Sequence, residues 1–206
     1  AEALRKGHHA RSRNVGDPEF YDVPISSLID KKHAREHAQK IKFNTALPAS
    51  EIKPIEIINE SRDTTHYSII DKEGNAISNT YTLGYSFGSG VTIPGTGILM
   101  NNQMNNFAFK YGDASEISRS SSPGNKFEPG KRPMSTMNPV IVKNKDNGIS
   151  LITGSPGGSF IPAAALRVIS GIIDFDLDIG EATMLPRIHK DWPYSGLTHE
   201  SSVSSD

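Results

Sequence analysis

Thr64-Thr65-His66-Tyr67-Ser68-Ile69-Ile70-Asp71-Lys72-Glu73-Gly74-Asn75-Ala76-Ile77-Ser78-Asn79-Thr80-Tyr81-Thr82-Leu83 is the stretch on which the reading of this chain turns. Residues 65–71 and 76–83 are rich in β-branched and aromatic side chains, which suit a pleated, half-buried surface. Lys72-Glu73-Gly74-Asn75 between them is a turn signal. Together they predict a β-hairpin. A turn centred on Glu73-Gly74 sets Thr64 beside Leu83, with Thr82 one step away. Two hydroxyls far apart in sequence then become neighbours. A hydroxyl beside a nucleophile can orient it and donate a hydrogen bond to it. Spacing alone favours the plainer reading, that threonine simply suits strands.

Outward from the hairpin, 91–100, 139–143 and 149–153 read as further strands, the last two joined by an Asn/Asp/Gly turn. Pro162 suits a first helical turn, and Ala165, Leu166, Ile169, Ile172 and Ile173 follow at helical spacing. Asp178-Ile179-Gly180-Glu181 has the form of a capping box for a shorter helix that stops before Pro186. Towards the amino terminus, Ser27-Leu28-Ile29-Asp30 also has the capping-box form, with a helical pattern running to about Ile41. Lys31, Lys32, Arg35 and Lys40 read as one solvated face of that helix. Residues 1–24 read as polar and turn-rich, and 44–62, with Pro48 and Pro54, as an extended linker. The Ser/Gly/Pro-rich loop from Lys110 to Lys131 is long enough to be functional or disordered.

Composition sets limits. Hydrophobic residues are 35% of the 206, low for a self-contained globule. A formal net charge of -1 provides no global field for nucleic acid or an anionic membrane. The absence of cysteine excludes disulfides and thiolate metal sites. No run of 18 apolar residues is present, so no membrane-spanning segment is expected. The adjacent pair His8-His9 lacks ligand spacing and is expected in solvent. His66 is expected to pack or hydrogen-bond.

Thr64-Thr65-His66-Tyr67-Ser68-Ile69, then Gly74 to Leu83 and Phe87-Gly88, resembles the signature of the gamma-glutamyltransferase (gamma-glutamyltranspeptidase) family. Gly97-Ile98-Leu99-Met100-Asn101-Asn102-Gln103-Met104-Asn105-Asn106-Phe107 is similar to a second block of that family. Lys131-Arg132-Pro133-Met134-Ser135-Thr136-Met137 with Gly154-Ser155-Pro156-Gly157-Gly158-Ser159 resembles its substrate and oxyanion segments. Pro186-Arg187-Ile188-His189 matches a fourth block, and Gly16-Asp17-Pro18-Glu19-Phe20 resembles the end of the family's large subunit.

The resemblance implies an α+β chain with the four-layer αββα fold of N-terminal-nucleophile (Ntn) hydrolases, incomplete in this chain. It implies that residues 1–63 are the C-terminal end of a large subunit with the linker to a processing site. Residues 64–206 would then be a small catalytic subunit truncated at its C-terminus. Self-cleavage is expected at Asp63–Thr64, giving Thr64 a free α-amine beside its hydroxyl. Thr64 then acts as nucleophile, and Thr82 supports it. Gly157 and Gly158 supply the oxyanion hole. Gln103, Asn106, Ser135 and Thr136 bind substrate. The expected activity moves a gamma-glutamyl group from glutathione-like amides to water or an amino acid through a threonyl ester, with no cofactor and no metal.

The expected partners are a gamma-glutamyl small molecule or peptide and the remainder of the large subunit. The expected location is periplasmic or extracellular. Two departures stand out. Gly84 occupies a position usually Asn or Glu, and Asn106 replaces an Asp that holds the substrate's α-ammonium. An amide there gives up a charge-assisted bond. A related acylase, acting on poly-gamma-glutamate or a beta-lactam side chain, is therefore an alternative. A non-catalytic fragment or degenerate homologue is another.

Overall fold

The computed structural model describes residues 1–45, 63–108, 122–192 and 196–203. They form two compact units. Residues 46–62 of the expected linker and 110–121 of the expected long loop lie outside the described residues. Helices and short antiparallel ladders are both present, so the mixed α+β content expected of the sequence is observed.

One unit is built from Ala1–Ile58, Met104–Ser135 and Ile188–Thr198. Helix α1, Glu2–Asn14, occupies a stretch that sequence patterning reads as irregular. The reason is that its buried face is polar: Arg5, His8 and Ser12 are buried at helical spacing, where apolar periodicity finds nothing. His8 is thereby buried and not in solvent, contrary to expectation, while His9 is exposed and its ring lies edge-on to Trp192 at 4.6 Å. After α1 the chain passes Gly16, where an added Cβ would lie 2.3 Å from the Gly124 carbonyl oxygen, so only glycine fits.

Buried Asp17 follows. Its carboxylate accepts from the Arg132 backbone N–H at 2.8 Å and from Arg132 Nε and Nη2 at 3.0 and 2.9 Å. These bonds hold the Asp17 carboxyl far below the usual range and raise the Arg132 pKa. Helices α2, Ile25–Leu28, and α3, Lys31–Gln39, come next. Ser27 lies inside α2 and does not cap; Asp30 caps α3 instead, accepting from the Lys32 N–H at 3.0 Å. Lys31, Lys32, Arg35 and Lys40 are exposed, as read.

The second unit comprises Asn59–Gln103, Thr136–Arg187 and His199–Asp206. Strands β1, Thr64–Ile70, and β2, Ala76–Thr82, pair antiparallel. The register sets Thr64 opposite Thr82, not Leu83. The connection runs from Asp71 to Asn75, with the Asp71 carboxylate accepting from Asn75 N and Nδ2, each at 2.8 Å, and Gly74 at φ +86 closing the turn. That connection is one residue different from a turn centred on Glu73-Gly74, and one residue moves every pairing.

Strands β3, Val140–Lys143, and β4, Ile149–Thr153, form a second hairpin. Its turn is organised by Asn144 Oδ1, which accepts from the N–H groups of Asp146 and Gly148. The strand expected over 91–100 is reduced to a single bridge, Thr92 to Leu99, because Pro94, Gly95 and Gly97 turn the chain between them. Helix α4, Ile161–Phe175, buries Ile161, Ala163, Ala165 and Gly171, and has Pro162 in its first turn as expected. By length and apolar content alone, Gly158–Phe175 reaches the span of a bilayer. It contains Arg167 and Asp174, and it packs on helix α5, Ile179–Met184, where a Cβ on Gly171 would sit 3.1 Å from Ala182 Cβ. Asp178 and Glu181 form the expected capping box of α5.

Candidate active site

In a strand, alternate residues share a face. Thr64, His66 and Ser68 therefore lie on one face of the hairpin, with their partners Thr82, Thr80 and Ser78. This face is rich in hydroxyls and turns towards β4: Ser78 Oγ donates to the Thr153 carbonyl at 3.1 Å. His66 is fixed by Thr80 Oγ1 at 2.8 Å from Nδ1 and Ser68 Oγ at 3.0 Å from Nε2. Its ring covers Gly154, where a Cβ would lie 2.2 Å from Cε1. Burial lowers the His66 pKa, which favours the neutral ring. His66 is thus a packing and hydrogen-bonding residue, as read from the sequence.

Thr64 stands one alternation above His66 on this face, at the start of β1, immediately after Asp63. Thr82 Oγ1 donates to the Asp63 carbonyl oxygen at 3.0 Å and accepts from the Gly84 N–H at 3.0 Å. The Asp63 carbonyl is therefore polarised by the hydroxyl across the ladder. Ser86 Oγ donates to the Asp63 carboxylate and anchors that residue from its other end. Ser86 could not be singled out from local pattern, because it lies in a loop with no strand register.

Gly84 has φ +94, and a Cβ there would fall 1.9 Å from Asn102 Oδ1. Asn102 Oδ1 accepts from the Tyr85 N–H at 3.0 Å, and the Asn102 N–H donates to the Leu83 carbonyl at 2.8 Å. Gln103 Nε2 donates to the Thr82 carbonyl at 3.4 Å. Residues 97–103 of the 97–107 block are thus tied to the end of β2 through Asn102 and Gln103. Beyond β4, the chain passes Gly154-Ser155-Pro156 to Gly157 and Gly158, at φ +124 and +57. Both angles favour glycine. Gly158–Phe160 forms a 3-10 turn that runs directly into α4.

Thr64, Thr82, Gln103, Thr136, Gly157 and Gly158 belong to the second unit, and Asn106 and Ser135 to the first. Within the first, fully buried Asn125 joins the two predicted substrate segments. Its Nδ2 donates to the Asn106 carbonyl at 2.7 Å, and its Oδ1 accepts from the Met134 N–H at 2.8 Å. Arg11 Nη2 donates to the Ser135 carbonyl at 3.2 Å. Asn125 also escaped the sequence reading. The hint was local: Ser122-Pro123-Gly124-Asn125, in which Ser122 Oγ accepts from the Gly124 N–H at 3.2 Å, is a turn of fixed shape.

The profile of the gamma-glutamyltranspeptidase family matches residues 1–206. The chain belongs to this family. A glutathione hydrolase proenzyme of Escherichia coli strain K12 is 42% identical over 100% of this chain and 36% of its own length. The chain thus spans about a third of the length of such curated relatives. Among solved structures, a mutant Helicobacter pylori gamma-glutamyltranspeptidase aligns with TM-score 0.59 and 43% identity, over 66% of this chain and 72% of that one. A Bacillus halodurans cephalosporin acylase aligns with TM-score 0.65 and 27% identity, over 87% of this chain and 30% of that one. In the gamma-glutamyltranspeptidase family, then, this chain has its threonine pair joined across one hairpin rung.

Proposed function

We propose that the chain is the processing and nucleophile region of a gamma-glutamyltransferase or hydrolase that cuts itself at Asp63–Thr64. The observation that carries this is the Thr82 hydroxyl on the Asp63 carbonyl, with Thr64 directly across the ladder. Thr64 Oγ attacks the Asp63 carbonyl carbon while its proton passes to the departing nitrogen. The C–N bond breaks, and an ester links Asp63 to Thr64 Oγ. Water hydrolyses the ester, leaving the new Asp63 carboxylate and a free Thr64 amine. An α-amine has a pKa of about 8, so it serves as general base near neutral pH.

In the mature form Thr64 takes the acyl group of a gamma-glutamyl amide such as glutathione. The Gly157 and Gly158 N–H groups hold the developing oxyanion. Thr82 supports the nucleophile, and Gln103, Asn106, Ser135 and Thr136 bind the donor. Residues 1–63 belong to the large subunit and residues from 64 onwards to the small one. The hairpin's opposite face, with Tyr67 43%, Ile69 53%, Ile77 55% and Tyr81 53% exposed, supports the four-layer αββα reading: a further layer from the rest of the large subunit would cover it. The same reading places the protein in the periplasm or outside the cell.

Mass spectrometry tests the processing step. A break at Asp63–Thr64 is expected, with Thr64→Ala staying whole; an intact wild-type chain that also fails to turn over a gamma-glutamyl anilide would point to a non-catalytic homologue. A second reading, a related acylase, is favoured by Asn106, which offers no carboxylate to a substrate ammonium. Donors with and without a free α-amine separate the two: equal rates support the acylase.

A further inference from the structure

We propose that His8, His189 and Asp191 form a binding site for a divalent transition metal, with zinc as the best match. All three side chains are buried, and one donor atom from each lies within 4.8 Å of the other two. His8 Nδ1 is 3.5 Å from Asp191 Oδ1, and His189 Nε2 is 3.6 Å from Asp191 Oδ2. These spans are long for N–H···O bonds, which fall at roughly 2.7–3.2 Å. They are close to the separation of roughly 3.3 Å between two donors each about 2.0–2.1 Å from a tetrahedral zinc ion. The two imidazoles stand edge to face with centroids 5.3 Å apart, so their nitrogens can converge without the rings stacking.

Two imidazoles and one carboxylate form a donor set for zinc with three protein ligands, the fourth position going to water. Beside the site, Glu2 pairs with Arg5 at 3.3 Å and with Lys190 at 3.9 Å. One acid and two bases add no negative field around the site, so binding rests on the three donors themselves. His8 sits on α1, while His189 and Asp191 lie far downstream. His9 and Arg13 dock on Trp192 beside them, with the Arg13 guanidinium 5.7 Å from the ring centre. The ion would bind two segments lying on opposite sides of Asp63–Thr64. If the chain is cut there, it becomes a non-covalent staple between the two products. Only this last consequence rests on the proposed processing; the site itself does not.

The test is calorimetric titration of the chelator-treated full chain with zinc sulfate alone, repeated with cobalt(II) under optical absorption. One equivalent is expected, with the intense visible bands of four-coordinate cobalt. Asp191→Asn and His8→Asn should each weaken binding by at least about 100-fold, the upper end of what losing an outer-sphere partner costs. No stoichiometric uptake overturns the proposal, as does unchanged affinity in both variants. If either variant fails to fold, X-ray absorption of the zinc-loaded wild type decides: two imidazoles with oxygen support the site, and a shell lacking imidazole removes it.

Discussion

At the scale of single residues, Thr82 carries more than the sequence could assign. It donates to the Asp63 carbonyl and accepts from Gly84. Thr82→Val keeps the shape and removes both bonds. The proposed self-cleavage should slow by about 100- to 1,000-fold, the cost of one oxyanion donor, while Thr82→Ser stays near wild type; a time course by gel or mass spectrometry reads this. Gly154 gives a second prediction. Its missing Cβ is replaced by the His66 ring, so Gly154→Ala should destabilise by about 1–3 kcal/mol through overpacking, measured by urea unfolding. That Thr64 and Thr82 would be neighbours was legible from the hairpin pattern, one register step away from the observed pairing. Ser86 and Asn125 were not, since their importance arises from bonds to residues distant in sequence.

At the scale of elements, strand alternation and turn chemistry were enough to find both hairpins, β1–β2 and β3–β4. Register was not, because the Asp71–Asn75 connection closes on side-chain bonds that turn statistics do not specify. Helix α1 was missed for an opposite reason: its inward stripe is Arg5, His8 and Ser12, and hydrophobic periodicity is blind to a polar core. Helix α5 was read correctly from its box alone. Asp178 accepts from the Glu181 N–H at 2.8 Å, and the Glu181 carboxylate accepts from the Asp178 N–H at 3.1 Å. Asp178→Ala should cost about 1 kcal/mol, seen as a fall of a few degrees in Tm by calorimetry.

At the scale of the whole molecule, Asp17 links stability to pH. Its carboxyl titrates well below its ordinary range because Arg132 holds it. A depressed carboxyl stabilises the fold above the unfolded value of about 4, and this contribution drains away as pH falls further. Thermal unfolding between neutral and pH 3 should show that loss, and Asp17→Asn should flatten it while lowering Tm at neutral pH. The mixed α+β content was legible from the hairpins and the late helices. The division into two units was not, because Met104–Ser135 and Ile188–Thr198 join the amino-terminal segment by packing that no local pattern announces. The bond from Thr82 to the Asp63 carbonyl has a last consequence: it works as an interlock. While the backbone is whole, that proton is engaged, and under the proposed cleavage it would be freed when the cut end withdraws. On the proposed function, maturation and turnover would then be coupled at this position, and separating them would require producing the two halves as individual polypeptides, the second beginning at Thr64.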